Sequence, residues 1–340
     1  MIGRKTFAEM AMKLISFLGL LALLTAPPLH AVTMIKIATV APEGTAWMRE
    51  LRAAAEHVKK RSDGRVEIKY YPGGVMGDHA TVLRKIKIGQ LQGGAFTGGE
   101  FARVVKDAQV YSLPFLFRNQ DELDRVRTRL DPLLSKSIAD AGWQLLGISG
   151  SGFAYLLSVR DLRNREDLKT AKVWVPQGDA ADELAFKIAG VAPIQLSLAD
   201  VYTSLQTGLI DTAANTPAGA IAFQWHTEMK HLIDVPLTYV VGLLVVDRKI
   251  YDALEAADRK TVSEELEAAS QRLDKLSRED NVAARAALAS QGIAIFTPVA
   301  DARKDWDAVG SEAYKQIIAN EMLTPGMHKA LEAALAEARK

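Results

Sequence analysis

The 340-residue sequence contains no cysteine. Disulfides, thiolate-ligated zinc, thiol nucleophiles and a lipid-bearing N-terminal cysteine are thereby excluded together. Neither charge is in excess: 42 lysines and arginines face 41 aspartates and glutamates. A chain so balanced has no field with which to hold a nucleic-acid backbone, and no nucleic-acid partner is expected. No Gly-Lys-Ser/Thr occurs, and the pairs Gly93-Gly94 and Gly98-Gly99 form neither a P-loop nor Gly-x-Gly-x-x-Gly. Close packing at a sheet edge accounts for them. Beyond residue 31 no uninterrupted apolar run reaches the length of a membrane-spanning helix.

The first 31 residues read differently from the rest. Arg4, Lys5 and Lys13 precede the apolar run Leu14–Ala26, Pro27-Pro28 break it, and Leu29-His30-Ala31 ends on a small residue. The run is shorter than the roughly 20 residues that span a bilayer. This is the layout of a secretory signal peptide, with a retained N-terminal anchor as the alternative, and it predicts export to the periplasm. The whole chain is 49% hydrophobic, and what remains beyond residue 31 is long enough for two domains of roughly 150 residues.

Strand and helix patterns alternate along that remainder. Met34–Val40 alternates as a strand, and Thr45 to Arg61 repeats Trp47, Leu51, Ala55 and Val58 on one helical face, with Gly64 past its end. Val66, Ile68 and Tyr70 mark a second strand, and Val82 and Ile86 a short helix leading to the apolar Gly93–Thr97. This rhythm predicts a parallel sheet covered by helices. Two amphipathic helices are expected next, one with Leu123, Val126 and Leu130 and one with Leu133, Leu134 and Ile138. Gln144–Ser149 reads as a strand, and Gly150-Ser151-Gly152 as a crossing between domains. Lys172–Val175 is strand-like up to Pro176, Ser197–Asp200 reads as a capping box, and Leu209–Asp211 as a short strand. From Tyr251 to Gln291 runs the longest helical pattern, about 60 Å if unbroken. It either runs through or is interrupted near Asp280-Asn281, and it is long enough to brace two domains. The apolar positions Met322, Met327, Leu331 and Leu335 of the last segment suit packing on its own chain or on a second copy in a homodimer.

Enzyme signatures fail on inspection. Gly147-Ile148-Ser149-Gly150-Ser151-Gly152 approaches a nucleophile elbow but misses its register, because Ser151 stands where the last glycine belongs. His226 and His231 are five apart, which turns the second away from the first on a helix, so a surface or interdomain helix is expected there rather than a metal site. Asp247-Arg248 reads as a solvated turn, and Glu264-Glu265 as a charged helix face. No catalytic residue, metal or cofactor is expected.

Several separated segments carry a resemblance. They are the Pro42-Glu43-Gly44 loop; Tyr71-Pro72-Gly73-Gly74 through Gly77-Asp78; and Leu113-Pro114-Phe115-Leu116-Phe117. Glu166-Asp167-Leu168-Lys169 then leads to Lys172-Val173-Trp174-Val175-Pro176, and Val201–Asp211 (VYTSLQTGLID) completes the series. In this order and spacing, residues 34–320 resemble the DctP-like extracytoplasmic substrate-binding proteins of TRAP transporters. The resemblance implies an α/β, two-domain periplasmic binding protein (Venus-flytrap) fold with a long bracing helix. Domain I is expected over 32–152 plus about 243–285, domain II over 153–242 plus about 286–310, and C-terminal helices over 311–340. It also implies capture of a small organic ligand in the interdomain cleft, hinge closure, delivery to a membrane permease driven by an ion gradient, and no chemistry.

The sequence departs from the family pattern where a carboxylate would bind. The resemblance puts an arginine at Trp174 and often a second at Ala154, and a guanidinium fork suits a carboxylate. Neither is present. The pattern Asp-Gly-x-Glu-Asn becomes Asp211-Thr212-Ala213-Ala214-Asn215, keeping the asparagine and losing the acid. A ligand more apolar than a simple dicarboxylate follows, with Trp174, Phe153, Tyr155, Phe96 and Trp225 as wall candidates and Asn215 and Gln177 orienting its polar atoms. For the aromatics a core role stands beside the pocket role, because alternation does not say which face is wet. An ABC-type binding protein, a lipid- or hydrophobic-ligand carrier working with a periplasmic helper protein, and a secreted hydrolase are the other readings.

Overall fold

The computed structural model describes residues 32–340; the N-terminal segment 1–31, read above as a signal peptide, lies outside them. In chain order the elements begin β1 (Thr33–Ala38), α1 (Ala46–Arg61), β2 (Val66–Tyr71), α2 (His79–Lys87), β3 (Gly93–Thr97), α3 (Gly98–Phe101), α4 (Gln120–Asp140) and β4 (Trp143–Ser158). There follow α5 (Arg165–Leu168), β5 (Trp174–Pro176), α6 (Ala180–Ile188), β6 (Ile194–Leu196), α7 (Val201–Gln206), β7 (Thr212–Asn215) and α8 (Pro217–Ala222). The last are β8 (His231–Asp247), α9 (Arg248–Asp252), α10 (Ala256–Ser290), β9 (Ala294–Phe296), α11 (Ala300–Ala319) and α12 (Pro325–Ala338).

The expected parallel arrangement holds for β2-β1-β3, where both neighbours of β1 run parallel to it. Beyond β3 the main sheet continues antiparallel through β8, β4 and β7. A small parallel pair, β5-β6, stands apart. Both β4 and β8 are unusually long because each passes from one lobe into the other. The Gly242–Val246 end of β8 pairs with β3, and its His231–Ile233 start pairs with β9. The strand expected over Gln144–Ser149 does not stop at the crossing read at Gly150-Ser151-Gly152: β4 runs on through a bulge between Gly150 and Gly152. A bulge bends and twists a strand without ending it, which suits a crossing between lobes.

Each lobe has its own apolar packing. Under the first, Ile35, Ile37, Met48, Leu51 and Val58 join the sheet to α1, and on its other face Leu123, Val126, Leu130 and Leu134 of α4 pack with Phe101 and Tyr111. In the second lobe Val173, Val175 and Phe186 meet Ile233 and Val235 on one side, and Leu157, Val201, Ile210 and Trp225 cluster on the other. Helix α10 is continuous through Asp280-Asn281 and at 35 residues reaches about 52 Å. Its Val262, Leu266 and Ala269 pack on the first lobe and Leu288 on the second, so it braces both. Helix α11 also crosses, with Trp306 and Val309 in the second lobe's core and Ile317 in the first's.

Other expectations are corrected. The two helices expected over 123–138 are one helix, α4, with Pro132 inside it. An internal proline costs about 3 kcal/mol, while each fully buried aliphatic side chain returns about 1.5–3 kcal/mol. The stripe Leu123-Val126-Leu130-Leu134-Ile138 therefore carries the helix past it. Ser197 does not cap a helix by a capping box: its hydroxyl donates to Asp200 at 2.6 Å, a 3-10 turn intervenes, and α7 starts at Val201. Nor are His226 and His231 on a helix of any length. His226 sits in a 3-10 turn at 3.3 Å from the Ala220 carbonyl, and His231 opens β8, whose alternating burial outweighs helical pattern. Asp247 caps α9 through the Lys249 N–H rather than forming a free turn. Met327, Leu331 and Leu335 of α12 pack against α4 of the same chain.

Candidate functional site

Between the lobes lies a cavity of about 510 Å³, of a size that takes a small organic molecule. The first lobe contributes the loop after β1, Trp47 at the start of α1, Phe96 of β3 and the backbone near Gly242. From the second come Trp174, Phe186, Ala214, Asn215 and Phe223, while Ser277 and Ala284 of α10 close one side. Local structure places these groups. Thr45 caps α1 by accepting the Met48 N–H at 3.3 Å, which sets Trp47 in the first turn. Trp47 lies directly over β8, because a Cβ on Gly242 would stand 2.3 Å from its ring. Opposite, Thr216 caps α8 with Pro217 as its first residue. The Asn215 side-chain oxygen accepts the Thr216 N–H at 2.8 Å, leaving the Asn215 amide nitrogen without a protein acceptor among the described residues.

Of the seven predicted side chains, three line this cavity: Trp174, Asn215 and Phe96. Trp174 is only 4% exposed, its Nε1 donates to the Leu196 carbonyl at 3.0 Å, and its ring meets Trp225 edge-on at 5.3 Å. Phe96 is buried and stacks on Phe101 at 5.3 Å. Gln177 lies instead in a smaller interlobe cavity of about 250 Å³ with Asp78, His79, Arg103 and Ser197. Phe153 packs edge-on against Tyr239, Tyr155 lies beneath the Arg285 guanidinium at 5.4 Å, and Trp225 is wholly buried; none of the three lines the main cavity. The reason for the first two is alternation: Ala154, between them, is on the cavity face, so its neighbours face the other way. Ala154 and Trp174, the two positions singled out by the sequence resemblance, are both in the wall.

Trp47, Phe186, Phe223, Asp179 and Asp182 were not expected at the site. Trp47 reads as core in the periodicity of α1, and nothing in the sequence marks Phe186 or Phe223 apart. The Asp-x-x-Asp spacing just after Pro176-Gln177-Gly178 is a helix-start signal that would have located the two acids, though not the cavity.

Those acids dominate the site's electrostatics. Asp179 caps α6 by accepting the Asp182 N–H at 3.1 Å. Burial pushes its carboxyl up to about 6, with Glu100 adding to the rise against the helix-end N–H groups that lower it. Asp182 is held well above the usual carboxylate range, by burial first and then by Asp179. Glu100 has its own partners, His79 Nδ1 at 2.6 Å and the Thr97 hydroxyl at 2.6 Å. A raised carboxyl binds more protons in the folded than in the unfolded state. Its stabilising contribution is therefore complete below the ordinary value of 3.8 and is lost as pH rises towards about 6. Asp179→Asn keeps the cap and removes that titration. The ligand-free variant is expected to match the parent near pH 4 and to exceed it by about 1–3 kcal/mol at pH 7. Calorimetric melting across this window checks it, and a difference independent of pH refutes it.

Fold and cleft define a class: a two-lobed solute-binding protein whose lobes are joined by crossing strands and a long helix. The chain belongs to the bacterial extracellular solute-binding proteins, family 7 (DctP), whose pattern matches residues 37–321. It is a DctP-like solute-binding protein of the TRAP type, a receptor and not an enzyme. A solute-binding protein of Chromohalobacter salexigens is 26% identical, over 73% of this chain and 74% of its own. The C4-dicarboxylate-binding periplasmic protein DctP of Rhodobacter capsulatus is 22% identical over 92% of this chain and 94% of its own. Among solved structures, a TRAP periplasmic solute-binding protein of Xanthobacter autotrophicus with bound β-D-galacturonate superposes with a TM-score of 0.82 at 20% identity, covering 89% of this chain and 99% of that one. At that identity the likeness speaks for the fold alone.

Proposed function

We propose that the chain is exported by its first 31 residues, captures a small organic ligand in the interlobe cavity, and delivers it to a TRAP-type permease driven by an ion gradient. The lobes correspond to 32–152 with about 243–285, and to 153–242 with about 286–310, and they close on the ligand by bending where β4 and β8 cross. The ligand is more apolar than a simple dicarboxylate. One observation carries this reading: the cavity wall holds Trp174 and Ala154 where carboxylate-binding arginines would stand, and among the described residues only Arg49 brings a cation to the lining. An unpaired carboxylate buried there would cost several kcal/mol. Trp47, Trp174, Phe96 and Phe223 offer apolar area instead.

Native mass spectrometry of the exported protein, followed by denaturing extraction, tests this. A small aromatic or apolar-bodied molecule is expected, and Ala222→Trp, which fills the cavity from its wall, is expected to release it while the protein stays folded. A tightly held dicarboxylate would overturn the apolar reading. A long-chain lipid would favour the carrier that works with a periplasmic helper protein.

A further inference from the structure

The charges around the cavity point further than its apolar walls do. Its lining includes Glu100, Asp179, Asp182 and Asp280 against the single cation Arg49. Arg49 is exposed and donates to the Gly44 carbonyl at 2.5 Å, and Asp280 is likewise an exposed residue of α10. Glu100 of α3 is matched by His79 of α2, and Arg103, after α3, donates to the Gly178 carbonyl at 3.4 Å, outside the main cavity. Among the described residues Asp179, the cap of α6, and Asp182 within it have no cationic side chain in hydrogen-bond or ion-pair contact, and the Asp182 carboxyl accepts no hydrogen bond. Asp182 also lines an adjoining cavity of about 20 Å³, roughly one water's worth of space. Trp306 of α11, 2% exposed, lines the same cavity, and its Nε1–H is buried without an acceptor. From β8 this end receives only Leu237 and Thr238. So the main cavity holds two carboxyls that no positive side chain among the described residues contacts, and the small cavity adjoining Asp182 holds an unpartnered N–H donor.

We propose that the ligand carries an ammonium group, held in the cleft by Asp182 and Asp179 and flanked by the aromatic walls. The proposal rests on the receptor reading above and names the chemistry of its ligand. Asp179 is buried and Asp182 partly buried at the cavity wall; a carboxylate pair so placed without a counter-ion is satisfied either by a proton or by a bound cation. An ammonium supplies the charge and up to three donors. Rings such as Trp47 and Phe96 attract a cation through their faces. A carboxylate elsewhere on the same molecule is compatible, as in an amino acid; a ligand with only negative charge is not, because like charges repel strongly where water is excluded. At a pH low enough for the pair to be protonated, binding of the ammonium displaces that proton.

The test uses the full exported chain, freed of any carried molecule by unfolding and refolding. Matched series with phenyl, indolyl and cyclohexyl bodies are compared, each as the primary amine, the carboxylic acid and the alcohol, by thermal shift and titration calorimetry. At pH 8 at least one amine is expected to bind and its acid counterpart not to. Asp182→Asn is expected to weaken that amine by about 10- to 100-fold, and Asp182→Glu to retain most of its affinity. Amine affinity is expected to rise from pH 5 to pH 8 as the pair loses its proton. If no amine binds, the inference is overturned. Binding by an acid or alcohol then leaves the receptor reading standing, whereas no binding in any series together with an empty natural extract takes that reading down too. An amine bound equally well by parent and Asp182→Asn would also overturn the proposal.

Discussion

Arg127→Ala is expected to cost about 3–5 kcal/mol of folding stability. The Arg127 guanidinium, largely buried on α4, donates to both oxygens of Asp274 at 3.0 and 2.9 Å, to Asp131 at 3.2 Å and to the Ile148 carbonyl at 3.4 Å. Asp274 belongs to α10 and also accepts the Gly150 N–H where β4 begins to cross between the lobes. Tyr111 donates to the other oxygen of Asp131 at 2.6 Å. One side chain thus joins α4, α10 and the crossing strand. Truncation leaves two partly buried carboxylates, one of them holding the crossing strand, with their cation gone, and that uncompensated charge is the source of the cost. Urea unfolding measures it. A loss below about 1 kcal/mol, the range of an exposed ion pair, would show that the group is solvated. Replacing Arg127 and Asp274 together with apolar residues should be milder than the single change, because no orphan charge remains from that pair.

Gly99→Ala should leave the fold intact and weaken capture. Gly99 follows β3 in the first lobe, and a Cβ there would stand 1.8 Å from Asp179 Oδ2 and 2.6 Å from its Cγ in the second. Asp179 is buried and engaged as the cap of α6, so it yields little. Beside it, Gly178 faces Arg103 with an equally tight approach, 2.2 Å from a Cβ position to Nε, and has a positive φ of 92°. The two glycines let the lobes touch, so alanine at 99 acts on the closed arrangement and not on either lobe's core. Overpacking of this kind costs about 1–3 kcal/mol, and at 1.4 kcal/mol per tenfold it should weaken the ligand roughly 5- to 150-fold. Calorimetric titration with the natural ligand, paired with a melting curve of the ligand-free variant, separates the effects. Unchanged affinity would mean that the lobes bind without this contact, and an equal loss of ligand-free stability would mean that the contact is part of the fold.

Much of the architecture was legible because its causes are local or periodic. Thr45 and Gly64 bracket α1 as cap and left-handed end, and the apolar spacing between them allows nothing else. The same is true of Val66–Tyr71 and of the apolar stripe in α10. Two helices were expected where α4 is one; Pro132 is a local breaker inside it, but continuity was decided by burial against α12 and the sheet. His231–Asp247 was hidden for a related reason. Burial alternates through the crossing from Ile233 to Leu243, but apolar residues such as Pro236 and Val240 stand on the less buried face too, so hydropathy alone does not display the two-residue period.

At the site the division is sharper. Composition and motif order by themselves established an α/β receptor of the DctP-like family, and located Trp174, Ala154 and Asn215 at positions the structure brings to one cavity wall. That is information about which residue types stand where, and it survives without coordinates. Tertiary structure alone decided which aromatics are core. Phe153 and Tyr155 were excluded from the cavity by the face that β4 turns to it, and Trp225 by its place under Trp174. The same packing brought Asp179, from one lobe, against Gly99 of the other, 80 residues earlier in the sequence. Whether an aspartate is a solvated cap or a perturbed group in a ligand's path depends on what covers it, and the covering lobe is remote in sequence.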